Sequence, residues 1–206
     1  MSAVVTRWWW LRHAPVANPE GIFYGQLDFD ADLGFSELIM KQAQRLPTEA
    51  LWFVTPLRRT RQTAEVLQSA AGIECPIQCE PALIEQDFGR WQGRRSAEVY
   101  AALARDHPIW DAPSAFAPPN GESFEAMMAR AQARIIEMTE AHAGRDLVAV
   151  AHGGTIRAAM ALALGLDAQT ASTRLSVDTL SLTRLDHIDD GQSPVWLVEA
   201  FNAKPT

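Results

Sequence analysis

The sequence has few cysteines, no long apolar run and no recognisable targeting segment. Its two cysteines, Cys75 and Cys79, have no second cysteine cluster to complete a zinc site, so we interpret them as ordinary thiols. No apolar run approaches the roughly 20 residues that a membrane-spanning helix needs. The N-terminus lacks the basic region, the apolar stretch and the small-residue cleavage site of a signal peptide. We therefore expect a cytoplasmic protein that does not associate with membranes.

Basic residues are also fewer than acidic residues. The formal net charge is −7, which argues against general nucleic-acid binding. An anionic ligand would have to be held by local basic groups that overcome the overall field. The length of 206 residues and the hydrophobic content of 48% predict one globular domain, 1–206, with a sizeable core. The sequence leaves open whether this domain is a monomer or a homodimer.

Strand patterns and helix patterns alternate along the chain. Short apolar or alternating runs predict strands at 4–11, 51–55, 77–80, 146–151, 179–185 and 195–201. Apolar residues at helical spacing predict helices at 36–46, 60–71, 96–106, 124–142 and 155–164. This alternation predicts an α/β fold, a three-layer α/β/α sandwich with a mainly parallel central sheet. The segment 107–123 carries four prolines and no periodicity, and we expect it to form a lid.

Basic residues follow three of the predicted strands. The stretch "LRHAP" places Arg12 and His13 after the first strand, and "TPLRRTR" follows the second. His152 follows the strand at 146–151 and is itself followed by two glycines. In open α/β sheets, ligands bind just beyond the carboxyl ends of the strands. If these three strands are neighbours, two histidines and at least two arginines converge on one pocket.

The chemistry of such a pocket suits a phosphate group. Guanidinium groups bind phosphate oxygens in pairs, and the N–H groups of Gly153 and Gly154 at the start of a helix also bind anions. One imidazole can act as a nucleophile and the other as a hydrogen-bond donor. The leaving oxygen then needs a proton donor, for which Glu85 in "ALIEQDFGRWQG" is a candidate.

Simpler interpretations stay open for several charged residues. An isolated glutamate such as Glu85 is usually a surface carboxylate. The acidic cluster within 28–32 is most simply part of a turn. Three arginines so close in sequence cannot all point into one pocket, so at least one of these is a surface charge: Arg58, Arg59 and Arg61. Three further arginines are either solvated or in contact with an anionic substrate: Arg90, Arg94 and Arg95.

Five segments, in the right order, resemble the signatures of the histidine phosphatase superfamily, which includes the cofactor-dependent phosphoglycerate mutases. "LRHAP" resembles its Arg-His-Gly signature, and "TPLRRTRQTA" resembles its Ser-x-Leu-x-Arg-Ala-x-x-Thr-Ala segment. "LIEQDFGRWQG" is similar to Leu-x-Glu-x-x-Phe-Gly-x-Trp-x-Gly, "PPNGESF" to Pro-Gly-Gly-Glu-Ser, and "VAHGG" to the second-histidine signature. The resemblance extends from residue 11 to about 157 and implies a phosphoglycerate mutase-like fold.

The resemblance also implies roles for individual residues. It makes His13 the nucleophile that forms a phosphohistidine, and Glu85 the acid. It assigns phosphate binding to Arg12, Arg59 and His152, with Gly153 beside them. The reaction it implies is hydrolysis of a small phosphomonoester without a metal or another cofactor. Departures from the signatures affect no catalytic side chain: Ala14 and Asn120 stand where the family has glycine, Val16 stands in place of a Ser or Thr, and Asn18 falls one residue early.

Substrate choice is less clearly encoded. The mutases of the family carry a Trp-Asn pair after the first signature and a long central insertion, and this sequence has neither, which favours hydrolysis over a phosphoglycerate mutase reaction. "EGIFYGQLDFD" is similar to the Gly-x-x-Tyr-Gly-x-x-Asp segment of α-ribazole-5′-phosphate phosphatases. That similarity implies substrate contacts at Tyr24 and Gly25. Two alternatives are a metal-dependent phosphatase using the acidic cluster at 28–32, and a catalytically idle protein that binds a phosphorylated ligand.

Overall fold

The computed structural model describes residues 3–18 and 20–205, and a six-stranded sheet lies at its centre. The strand order is β3-β2-β4-β1-β5-β6. The strands are β1 Val4–Arg12, β2 Leu51–Val54, β3 Ile77–Cys79, β4 Asp146–Ala151, β5 Leu182–Asp189 and β6 Val195–Ala203. The four strands from β3 to β1 are parallel, whereas β5 and β6 are antiparallel to their neighbours. The predicted α/β fold with a mainly parallel sheet is confirmed.

Helices cover both faces of the sheet. In the part of the chain that the structure describes, they are α1 Ser36–Ala43, α2 Arg58–Ala71, α3 Ser96–Ala101, α4 Phe124–Ala141, α5 Gly153–Leu164 and α6 Ala168–Arg174. Side chains of β4 alternate between the faces: Leu147 and Ala149 pack with α4 and α5, and Val148 packs with α1 and α2. A strand buried on both faces therefore reads as a continuous apolar run. No helix within the described ranges has the length and apolar character needed to cross a bilayer.

Two predicted elements need correction, and one helix was not predicted. Helix α6 was not expected, because a seven-residue, largely polar helix shows no apolar periodicity. The helix predicted at 96–106 ends at Ala101. The N–H of Ala102 is shared between the carbonyls of Glu98 and Val99, and the chain then enters turns. The strand predicted from residue 179 begins at Leu182, because Leu180 adopts a left-handed φ of 57° in the turn before it.

The segment 107–123 packs against the loop that carries Glu85. It begins with a short 3-10 turn, Pro108–Trp110, and the N–H of Arg90 donates to the carbonyl of Pro119 over 2.9 Å. Ser114 is buried, and its hydroxyl donates to the Glu125 carboxylate at the start of α4 over 3.0 Å. Asn120 has a φ of 61°, a left-handed conformation that asparagine tolerates well, which explains how it replaces a glycine. Closure of this segment as a lid, and the single-domain organisation, stay predictions.

Candidate active site

The two histidines lie at the carboxyl ends of neighbouring parallel strands. His13 follows β1 and His152 follows β4, and Arg12 pairs with Ala151 in the register between these strands. The ring centroids of His13 and His152 are 5.3 Å apart, and both side chains are buried. The expected convergence at one edge of the sheet is therefore present, because parallel strands end at the same edge.

His13 is held as a neutral ring with one nitrogen unprotonated. Its Nδ1 lies 2.6 Å from the carbonyl oxygen of Ala14, which assigns the ring hydrogen to Nδ1. Nε2 then carries the lone pair and accepts from Nε–H of Arg59 over 3.2 Å. Burial, followed by the charge of Arg59, lowers the pKa of His13 from 6.5 to about 3, although the Ala14 carbonyl raises it. The ring is therefore unprotonated at neutral pH.

Arg59 is the arginine of α2 that points into the site. Its side chain is buried, and its Nη1 and Nη2 donate to the carbonyls of Leu27 and Gly25 over 2.8 and 2.7 Å. The guanidinium carbon lies 5.1 Å from the centre of the Tyr24 ring. Gly25 has a φ of 37°, and a Cβ there would lie 2.6 Å from a side-chain oxygen of Gln92. The predicted segment around Tyr24 and Gly25 therefore fixes the position of the guanidinium.

Arg12 has a buried donor, Nε–H, that no acceptor among the described residues engages. Its Nη1 donates to the carbonyl of Val177 over 2.6 Å, and its Nη2 lies 3.5 Å from the hydroxyl of Tyr24. The Nε atom lies 3.6 Å from where a Cβ on Gly153 would be. A buried N–H without a partner is costly, so this donor is available for an anionic ligand.

His152 is positioned by a residue that sequence reasoning did not single out. Its Nε2 lies 2.8 Å from the hydroxyl of Thr55, which follows β2, and its Nδ1 lies 3.5 Å from Nη2 of Arg59. Burial, helped by the nearby His13 and Arg59, lowers the pKa of His152 well below its ordinary value. The available signal was the position of Thr55 at a strand end, directly before a proline.

Glu85 reaches the site from the loop after β3. Its Oε2 accepts from the N–H of Gly154 over 3.3 Å, and its Oε1 accepts from the N–H of Gln86 over 3.0 Å. A Cβ on Gly154 would overlap Glu85 Oε1, so only glycine lets the carboxylate come this close. The carbonyl of Glu85 also accepts from the side chain of Gln26 over 2.9 Å. The carboxylate therefore lies at the N-terminus of α5, beside the second glycine of "VAHGG".

Arg157 is a further basic residue at this site that the sequence analysis missed. It lies four residues after Gly153 on α5, and that spacing places both on one face of the helix. Its Nε donates to the Gly153 carbonyl over 3.2 Å, and its Nη1 donates to the carbonyl of Ser172 over 2.9 Å. Its Nη2 lies 3.7 Å from where a Cβ on Gly153 would be. The guanidinium groups of Arg12 and Arg157 therefore both border Gly153.

Other charged residues of interest lie outside this cluster. Arg58 pairs with Asp28 and Asp30 at the surface, and the side chain of Arg61 faces Glu65 across one helical turn. The exposed arginines of the following loop take no part in it: Arg90, Arg94 and Arg95. The residues that the structure describes contain no group of three or more metal-ligating side chains. The acidic residues at 28–32 are instead engaged by arginine, glutamine and backbone N–H groups.

Comparison with known proteins agrees with this arrangement. A model of the histidine phosphatase superfamily (branch 1) matches residues 8–200. A bifunctional protein of Mycobacterium tuberculosis is 31% identical over 145 residues, which are 70% of this chain and 39% of that protein. The chain thus spans well under half the length of that relative. The adenosylcobalamin/α-ribazole phosphatase of Escherichia coli strain K12 is 28% identical over 172 residues, covering 79% of this chain and 81% of that protein.

A solved structure shows the same architecture. The structure of a mycobacterial glucosyl-3-phosphoglycerate phosphatase superposes with a TM-score of 0.81 at 26% identity, and the match covers 97% of this chain and 100% of that chain. The fold, with histidines at two strand ends among arginines, is that of an α/β protein whose site is arranged to bind an anion. The chain belongs to the histidine phosphatase superfamily. Its relatives include both phosphatases and probable phosphoglycerate mutases.

Proposed function

We propose that the protein is a metal-independent phosphomonoesterase that acts through a phosphohistidine on His13. The observation that carries this proposal is the set of contacts made by His13. Its Nδ1 hydrogen is held by the Ala14 carbonyl at 2.6 Å, and its Nε2 faces the Arg59 guanidinium at 3.2 Å. A neutral imidazole whose free nitrogen faces a phosphate-binding cation is arranged to attack phosphorus.

The first step transfers the phosphoryl group to the enzyme. The phosphate oxygens bind Nε–H of Arg12, the guanidinium of Arg59 and the ring of His152. Nε–H of Arg59 then donates its hydrogen bond to a phosphate oxygen instead of to His13. This frees the Nε2 lone pair of His13, which bonds to phosphorus as the ester P–O bond breaks. Protonated Glu85 gives its proton to the leaving oxygen, and the surrounding cations stabilise the charge that develops on the phosphoryl oxygens.

The second step releases inorganic phosphate. Water attacks phosphorus, the Nε2–P bond breaks, and the Glu85 carboxylate accepts the proton that the water loses. The electron pair returns to Nε2, so His13 becomes neutral again. While the ring is phosphorylated it carries positive charge, which the Ala14 carbonyl stabilises through the Nδ1 hydrogen. The same carbonyl raises the pKa of the free ring against the effect of burial.

The leading candidate substrate is α-ribazole 5′-phosphate. Its support is the similarity of residues 20–30 to the corresponding segment of α-ribazole-5′-phosphate phosphatases, together with the Escherichia coli relative of that name. Tyr24 and Gly25 of this segment lie against Arg12 and Arg59. Because another neighbour acts on glucosyl-3-phosphoglycerate, the assay panel must include that ester as well.

Trapping of the phosphoenzyme tests the reaction type. After brief exposure to labelled p-nitrophenyl phosphate and a quench, wild-type protein should carry acid-labile, base-stable phosphate. The His13→Ala variant should carry none, whereas the control His187→Ala, on β5, should label normally. Normal labelling of His13→Ala would overturn the proposal. Activity should also persist in excess chelator, and its loss there would favour the metal-dependent alternative.

A further inference from the structure

A cavity of about 230 Å³ opens directly beside Glu85. Glu85 and Gly154 form its inner end, where Gly154 N–H donates to the carboxylate over 3.3 Å. In the proposed reaction Glu85 protonates the leaving oxygen, so that oxygen must lie within hydrogen-bond distance of the carboxylate. The rest of the leaving alcohol therefore extends into this cavity.

The outer wall of the cavity is aromatic. The rings that line the cavity are those of Phe23, Phe88, Trp91, Tyr100, Phe116 and Phe124. Phe23 lies with its ring centroid 5.0 Å from that of Phe88 and 5.5 Å from that of Trp91, and Trp91 stacks on Phe116 at 5.4 Å. Because the rings support one another, the wall is formed in advance of any ligand, which lowers the cost of binding a flat apolar group.

The charged side chains that line the cavity are Glu85 and Arg157. In the proposed first step Glu85 carries the proton that it donates and is neutral, so Arg157 is then the charged group. Burial raises the pKa of Tyr100, so its phenol stays neutral. Arg157 is held by the carbonyls of Gly153 and Ser172, and each of these contacts uses one of its nitrogens. The aromatic wall itself carries no positive charge that would hold a carboxylate or a second phosphate.

The volume sets the size of the group. An apolar cavity of about 150 Å³ binds benzene. The cavity beside Glu85 is larger, at about 230 Å³, and its walls combine aromatic rings with polar side chains. It therefore has room for a ring system of one or two fused rings.

We infer that the substrate is the phosphate ester of an alcohol carrying a flat, uncharged ring system, which lies against the aromatic wall while Glu85 protonates the ester oxygen. This inference rests on the proposed phosphomonoesterase reaction. It goes beyond that reaction in naming what the leaving group must look like, and it separates such esters from small carboxylate-bearing ones such as 3-phosphoglycerate.

A matched series of esters tests the inference. Ethyl phosphate, 2-phenylethyl phosphate and 2-(1-naphthyl)ethyl phosphate release similar alkoxides, so differences in kcat/KM report on the cavity. The two ring-bearing esters should exceed ethyl phosphate by about 10- to 100-fold, as expected for burying a side-chain-sized ring. 3-Phosphoglycerate should not exceed ethyl phosphate. Equal rates on the three alkyl esters, or a preference for 3-phosphoglycerate, would overturn the inference.

Substitutions in the cavity test whether its aromatic wall causes the preference for ring-bearing esters. Phe116→Ala should lower the ratio between the naphthyl and ethyl esters by about 5-fold or more, because part of the wall is removed. Phe35→Ala is the matched control, since this half-exposed ring precedes α1 and does not line the cavity, and the ratio should stay unchanged. If Arg157→Met selectively lowered activity on 3-phosphoglycerate, Arg157 would be a carboxylate-binding residue and the inference would be wrong.

Binding of unreactive phosphonates separates this inference from the proposed function. Calorimetry should give a Kd for 2-(1-naphthyl)ethylphosphonate that is at least about 10-fold lower than that for ethylphosphonate. If this ratio holds while no phosphoenzyme forms, the catalytic proposal fails and the cavity assignment stands. If the phosphoenzyme forms and the two phosphonates bind equally, the cavity assignment alone fails.

Discussion

Arg59 donates its Nε–H to Nε2 of His13 over 3.2 Å, and the other two nitrogens of the same guanidinium are held by the carbonyls of Leu27 and Gly25. The guanidinium is therefore fixed against the histidine. A fixed cation beside a buried imidazole disfavours its protonated form, so His13 keeps a lone pair at neutral pH. The contact also marks the place where a phosphoryl group would be bound by both residues.

The first prediction separates the three arginines near the start of α2. Arg59→Ala should lower kcat/KM by a factor corresponding to about 3 kcal/mol or more of transition-state stabilisation, because it removes the cation beside the reacting atoms. Arg58→Ala and Arg61→Ala should have much smaller effects, since these side chains face Asp28 and Glu65 at the surface. Steady-state kinetics of the three variants on one ester measure these effects. A large loss of kcat/KM in Arg61→Ala would contradict the placement of Arg59 in the site.

The second prediction concerns Glu85 as the acid. An alkoxide cannot leave unprotonated, whereas p-nitrophenolate leaves readily. Glu85→Gln should therefore slow phosphoenzyme formation by about 10²–10⁴-fold on an alkyl phosphate and far less on p-nitrophenyl phosphate. Single-turnover rates on the two esters measure this difference. Equal losses on both would show that Glu85 binds the phosphate group without donating a proton.

The third prediction compares two adjacent glycines. A Cβ on Gly154 would overlap Glu85 Oε1, whereas a Cβ on Gly153 would make ordinary contacts at 3.6 Å or more. Gly154→Ala should therefore displace the carboxylate and reproduce the leaving-group dependence of Glu85→Gln. Gly153→Ala should show a clearly smaller loss on alkyl phosphates. The same single-turnover assay applies, and the reverse order of the two variants would refute the placement of Glu85.

The fourth prediction concerns Thr55 as a positioning residue. Its hydroxyl lies 2.8 Å from Nε2 of His152, and both groups are buried. Thr55→Val keeps the shape but removes this hydrogen bond, so kcat should fall by about 10-fold, and the free energy of unfolding should fall by about 1–3 kcal/mol because Nε2 of His152 stays buried without a partner. Thr55→Ser retains the hydroxyl and should restore most of the activity. A valine variant with wild-type kcat would show that His152 is oriented by other contacts.

The fifth prediction concerns stability against pH. The pKa of His13 is lowered from 6.5 to about 3 in the folded protein, so the unfolded chain binds a proton in this range that the folded state does not. The free energy of unfolding should therefore fall as pH decreases from about 6.5 towards 3, with His13 contributing a slope of about 1.4 kcal/mol per pH unit.

Urea unfolding between pH 4 and pH 7 measures this slope. His13→Gln removes the titrating group. Its slope should be shallower than that of the wild type by about 1.4 kcal/mol per pH unit, the contribution of one proton. His187→Gln, at a histidine on β5 whose ring lies at a tilted angle beside Trp196, is the control for replacing a histidine outside the site. Identical slopes for His13→Gln and the wild type would mean that His13 is protonated in the folded protein.

Local pattern in the sequence was enough to predict the fold class and the positions of both histidines. A strand buried on both faces must be apolar throughout. The change from apolar residues to Arg12 and His13 at the end of β1, and to His152 after β4, therefore marks where these strands end. Because parallel strands end at one edge of the sheet, the sequence alone places these residues together.

Tertiary structure decided which of the other side chains belong to the site. Successive helix residues point about 100° apart, so only one of three nearby arginines in α2 faces His13. The family resemblance had already indicated Arg59, and the packing of α2 against the sheet places that side chain beside His13. Arg157 joins the site because α5 begins at Gly153, two residues before its predicted start. The neutral state of His13 follows from burial beside Arg59, which no local pattern encodes. Burial and charge depend on residues far apart in the chain, and only the folded chain brings them into contact.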